Sequence, residues 1–88
     1  MKSKITVTAG YLYQRGRWEI FLHEGKQPIK NSPLFWPILP DFTGKRFEKE
    51  VEKLAEELNR YGVTKEQIEE AILEECRRED IKPPKYLR

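Results

Sequence analysis

Nucleophilic or acid–base chemistry needs a thiol, hydroxyl or imidazole held within hydrogen-bond reach of an orienting partner. This chain has one histidine, His23, and one thiol, Cys76, more than fifty residues apart. His23 falls in a strand-like run, and Cys76 falls on the apolar stripe of a helical segment, where a buried, inert thiol is the ordinary outcome. A single cysteine excludes an internal disulfide and any multi-cysteine zinc site. The five glycines are isolated, so no phosphate-cradling loop is present. The acids are numerous, but they alternate with lysines along helical faces instead of converging as a carboxylate pair. No catalytic residue, metal site, cofactor or small-molecule substrate is expected, and the chain reads as non-enzymatic.

Polyanion binding is better served. Gln14, Arg15, Arg17 and Glu19 crowd a predicted hairpin tip with Tyr11, Tyr13 and Trp18, and Lys4 and Lys26 lie nearby in the same sheet. Lys and Arg hold phosphates, and a two- or three-stranded ribbon fits a DNA major groove. Net charge over the 88 residues is only +2, but residues 1–46 carry eight Lys/Arg against three acids and residues 47–88 carry nine against twelve. A polyanion would therefore approach the first half. The plainer explanation of the asymmetry is that helices collect Glu, a good helix former. A protein interface is the other candidate: Leu34, Phe35, Trp36, Ile38 and Leu39 sit among Pro33, Pro37 and Pro40. Such a segment covers an open end of the core, or it forms a partner-binding or self-association patch.

The elements that position these residues are legible from pattern. Residues 5–22 alternate as a hairpin. Turning at Arg15-Gly16 pairs Tyr13 with Trp18, Tyr11 with Ile20 and Ala9 with Leu22, all on one apolar face. The opposite face receives Gln14, Arg17, Leu12, Glu19, Gly10, Phe21, Thr8 and His23. A second turn at Glu24-Gly25 sets Ile20 opposite Ile29 and gives a short third strand, Gln27–Ile29, kept at an edge by Pro28. The prolines of segment 33–42 forbid a helix interior or a central strand.

From Asp41 the period becomes helical, with Phe47, Val51, Leu54, Ala55, Leu58 and Tyr61 on one stripe; Asp41 or Thr43 caps the start and Gly62 ends it. The second helix opens with a Thr64/Gln67 capping box and a Val63/Ile68 staple, and buries Ile68, Ala71, Ile72 and Cys76. Its glutamates rule it out as a helix-turn-helix reader, because they repel phosphate. An α+β, two-layer βββαα domain follows: a three-stranded antiparallel meander, then an antiparallel helix pair, spanning 1–82, with a loose basic tail at 83–88 unless Tyr86 and Leu87 dock.

Charged residues make up 36% of the chain, well above the usual quarter, and the excess is Lys and Glu. That fits a heat-loving source, and long solvated helices would also produce it. No apolar run reaches membrane-span length and the sequence enters strand pattern without a signal-peptide profile, so a cytoplasmic location is expected.

Tyr13-Gln14-Arg15-Gly16-Arg17-Trp18-Glu19-Ile20, then Gly25-Lys26, then a helix opening near Thr43-Gly44-Lys45, resembles the AP2-like, arm-binding N-terminal domain of phage-type tyrosine recombinases over residues 9–60. The resemblance implies a three-stranded sheet whose exposed face enters the major groove, with the helix packed behind. It would place Arg15, Arg17 and Lys26, with Gln14 and Glu19, at the DNA side. The proline-rich insertion and the second, acidic helix depart from that plan. The expected function is thus a non-catalytic DNA-binding, or RNA-binding, accessory protein. The alternative is a protein-interaction module, homodimeric through segment 33–42.

Overall fold

The computed structural model describes residues 5–12, 14, 16–25, 27–28, 35–38 and 45–87. The α+β architecture is the expected one: an antiparallel sheet followed by two helices. Strands β1 (Ile5–Leu12) and β2 (Arg17–Glu24) form the hairpin, β3 (Gln27–Pro28) continues it, and helices α1 (Lys45–Leu58) and α2 (Lys65–Glu79) close the chain. A fourth strand, β4 (Trp36–Ile38), adds to this plan and pairs with β2 beside β3. β2 is therefore central, with β1 on one edge and β3 and β4 end to end on the other.

The hairpin register differs from the expected one by two residues. Tyr11 pairs with Trp18, Ala9 with Ile20 and Val7 with Leu22, around a four-residue connection instead of a two-residue one. Gly16 ends that connection at φ +58°, a left-handed conformation that glycine adopts without strain. Because strand side chains alternate with period two, a slip of two leaves the residues of β1 and β2 on their expected faces, while Gln14 passes into the connection and Tyr13 lies outside the described residues. Ile5, Val7, Ala9, Tyr11, Trp18, Ile20 and Leu22 point to the helices; Thr6, Thr8, Gly10, Leu12, Arg17, Glu19, Phe21 and His23 point away. The second turn is shifted likewise, with His23 opposite Pro28 and Glu24 opposite Gln27. Ile29 lies outside the described residues.

The prolines obscured β4 in the sequence, yet Pro37 is compatible with it. Trp36 and Ile38 pair with Ile20 and Trp18, and Pro37 faces Glu19. The ladder alternation and the lateral partners of β2 put Pro37 at a non-bonded position, where its missing N–H costs nothing. The same alternation sends Trp36 and Ile38 into the core, 4% and 1% exposed, and Pro37 out to solvent.

The core is the layer between sheet and helices: Trp18, Ile20, Leu22, Trp36 and Ile38 from the strands, Phe47, Val51, Leu54 and Leu58 from α1, and Ile68, Ala71, Ile72 and Cys76 from α2. Tyr11 packs on Trp18 with ring centroids 5.2 Å apart. The indole N–H groups of Trp18 and Trp36 are buried and find no acceptor among the described residues. α1 runs into a single 3₁₀ turn, Asn59–Tyr61, and stops at Gly62 with φ +79°. The candidate caps Asp41 and Thr43 lie outside the described residues.

At the start of α2 the Thr64 hydroxyl accepts the Gln67 N–H while the Gln67 side chain accepts the Thr64 N–H. The staple residues Val63 and Ile68 are both buried. Lys65 bridges the helices, 3.0 Å from Glu48 of α1 and 3.9 Å from Glu69 on its own helix.

Of the two outcomes open for the tail, docking of Tyr86 and Leu87 against the core is the one adopted. Pro84 is fully buried, and Tyr86 in the 3₁₀ turn Lys85–Leu87 packs on Phe47 at 6.3 Å. Burial, and then the carboxylates of Glu69, Glu48 and Glu52, hold the Tyr86 phenol well above its usual pKa.

Candidate nucleic-acid interface

Helix stripes dictate which sheet face stays open. Both helices bury their apolar sides against the Trp18–Ile20–Leu22 face. No helix among the described residues covers the opposite face of β1 and β2, where Arg17, Glu19, Phe21 and His23 stand at alternate positions.

Two aromatic rings organise that face. Phe21 comes from β2 and Phe35 from the residue just before β4, with centroids 6.3 Å apart and planes tilted by 56°. The Arg17 guanidinium lies over the Phe35 ring, 5.1 Å from its centroid. Both Nε and Nη2 of Arg17 donate to Oε2 of Glu19, at 3.1 and 2.9 Å. Arg17 keeps 25% of its side chain exposed and Glu19 only 8%. The cation is thus held between a buried carboxylate and a ring, with a quarter of its side chain still exposed. A guanidinium so fixed loses little rotamer freedom when it meets a further acceptor. Thr6 and Thr8 are exposed further along β1, and His23 is half-buried.

The sequence-derived candidates divide accordingly. Arg17 and Glu19 are together on the open face, but Glu19 is buried and faces Arg17, so it holds the arginine in place and is withdrawn from direct contact with a ligand. Gln14 is exposed in the hairpin connection. Arg15, Lys26 and Lys4 lie outside the described residues. Of the interface candidates, Trp36 and Ile38 are core residues, because strand pairing turns them under the sheet; they offer no surface to a partner. Phe35 is half-buried on the open face, and Leu34 and Leu39 lie outside the described residues.

His23 and Cys76 are not brought together: the imidazole is on the open face and the thiol is beneath the other. Burial pushes the Cys76 thiol pKa up, with a further push from the Glu75 carboxylate, which disfavours the reactive thiolate. Among the described residues no three His, Cys, Asp or Glu side chains are grouped to hold a metal ion, and no helix is long and apolar enough to cross a membrane.

One important residue was not singled out from sequence. Glu75 is only 5% exposed. Its Oε2 accepts the backbone N–H of Tyr11 at 3.1 Å, and its Oε1 accepts from Arg78. The available signal was spacing, since Glu75 follows Ala71 and Ile72 at the interval of the buried stripe.

Comparison of the chain with protein-family models, with curated proteins and with solved structures finds no match.

Proposed function

We propose that this protein is a non-catalytic nucleic-acid-binding protein that uses the open face of its β1–β2 sheet. The observation that carries the reading is the Arg17 guanidinium, oriented by Glu19 and laid on Phe35 beside Phe21, on the sheet face that the helices leave uncovered. A fixed guanidinium donates to phosphate or base-edge acceptors, and exposed ring surface accepts unstacked bases, each worth about 1–3 kcal/mol. The unequal charge distribution supports approach from this half of the chain.

The test is a titration of fluorescein-labelled 20-mers, single-stranded and duplex, DNA and RNA, at several salt concentrations. Binding should weaken with salt with a log–log slope of about −3, as expected for a few phosphate contacts. R17A should flatten the slope by about one. F35A should weaken single strands more than duplex. Circular dichroism verifies that each variant is folded. Absence of binding to every oligomer at low salt and micromolar protein, or an R17A curve that overlays wild type, refutes the proposal.

A further inference from the structure

The far edge of β1 is a second surface, independent of the open face. Among the described residues β1 pairs with β2 alone, on one side. Because the N–H of Tyr11 points sideways to Glu75, alternation places the N–H and C=O groups of Ile5, Val7 and Ala9 on that same outer edge. None of these three finds a lateral backbone partner among the described residues. Beside the edge runs a groove of about 540 Å³, with Ile5 and Val7 on one wall and Glu66, Glu70, Ala71 and Glu74 on the other.

The helix runs in the same direction as the strand, with Glu66 and Glu70 near Ile5–Val7 and Glu75 at Tyr11. Glu66, Glu70 and Glu74 are exposed and recur every four residues, about 6 Å apart along the helix. Same-face side chains of an extended strand recur every 6.5–7 Å or so. A strand laid on β1 therefore brings every second side chain past successive carboxylates. Glu74 also pairs with Arg77 at the exposed surface, and Arg78 lies beside Glu75, so the acidic character is strongest at the Glu66–Glu70 end. Glu75 closes the groove at the other end by occupying the Tyr11 N–H.

We infer that the outer edge of β1, walled by Glu66, Glu70 and Glu74, is a docking groove for an extended peptide of a partner protein with Lys or Arg at alternate positions. Backbone ladder bonds supply the fit and the carboxylate row supplies the selection. A second copy of this chain is a poor occupant. Two β1 edges paired about a two-fold axis would bring both α2 helices to the same side, with their carboxylate rows facing each other.

The experiment uses the full chain and a labelled heptapeptide, Thr-Lys-Val-Lys-Val-Lys-Thr. The same peptide with Glu for Lys, and one N-methylated at alternate amides, serve as controls. The Lys peptide should bind, and the two controls should bind at least ten-fold more weakly. E66Q combined with E70Q should weaken binding about five-fold, the effect of losing two exposed charge pairs, with an unchanged dichroism spectrum. NMR should show the Ile5, Val7 and Ala9 amides protected only when the Lys peptide is present. Equal binding of the N-methylated peptide, or no effect of the double substitution, overturns the inference. So does a dimer that protects those amides without peptide, or shifts confined to Arg17, Phe21 and Phe35.

Discussion

Replacing Glu75 isolates a single backbone contact that ties the second helix to the first strand. Glu75→Ala removes the carboxylate that accepts the Tyr11 N–H at 3.1 Å. A hydrogen bond to a charged group contributes about 1.5–3 kcal/mol, and water reaching the half-buried strand edge brings the loss to the lower end. The buried methylene that goes with it adds about 0.8 kcal/mol. The Arg78 partner is 61% exposed, so solvent screening leaves its share small. The sum is about 2–3 kcal/mol. For a domain of this size, that lowers the melting temperature by roughly 8–24 °C. Glu75→Gln keeps an acceptor oxygen and should cost about 1 kcal/mol or less. Arg78→Ala should leave the stability nearly unchanged.

Urea denaturation gives the three free energies, and amide exchange at Tyr11 reports the contact directly. The Tyr11 amide should exchange faster in Glu75→Ala by more than the global stability change alone produces. Two results refute the reasoning: an alanine variant that melts within 2 °C of wild type, or an Arg78→Ala loss as large as that of Glu75→Ala.

Two further expectations follow from the packing. Trp36→Ala should cost about 3–5 kcal/mol by emptying a core position, whereas Pro37→Ala, at a solvent-facing and non-bonded position, should stay within about 0.5 kcal/mol; urea midpoints decide it. Tyr86 makes stability sensitive to alkali. Its folded-state pKa lies above the ordinary value of 10.0, so its contribution is complete below about pH 10 and declines above that as only the unfolded chain ionises. Tyr86→Phe should flatten the decline, as read from melting temperatures between pH 8 and 11.

The sequence made the faces legible but not the registers. Alternation fixes which side of the hairpin is apolar, and it survives a slip of two residues. The turn itself was located from an X-Gly pair, which does not say how many residues precede the glycine in the connection. The pairing adopted sets Tyr11 against Trp18, and small Ala9 opposite fully buried Ile20. Those choices depend on helices that begin 25 residues beyond Ile20.

The Thr64/Gln67 box and its staple were readable because they are local, a matter of six consecutive residues. β4 was obscured because proline signals override a three-residue alternation, and because an edge strand needs only two of its three residues to pair. The Arg17–Glu19 fork could be anticipated as two residues on one face. Its seat on Phe35 could not, since that contact crosses the whole third-strand excursion. Apart from its spacing, Glu75 is by sequence indistinguishable from the surface glutamates of its helix, since nothing local announces an acceptor for a strand edge 64 residues earlier.

That separation has a consequence during synthesis. At 5–20 residues per second, Tyr11 is added to the chain roughly 3–13 seconds before Glu75. Hairpins form in microseconds, so β1 and β2 pair almost at once and then wait. Throughout the wait the outer edge of β1 lacks both the Glu75 carboxylate at Tyr11 and the carboxylate row of the second helix that repels a second copy, so a neighbouring nascent chain presenting the same strand joins it edge to edge. The carboxylate that later closes Tyr11 arrives with the last helix. Crowding on polysomes, and any factor that holds emerging chains apart, should therefore affect the yield of this protein alongside the stability of its finished fold.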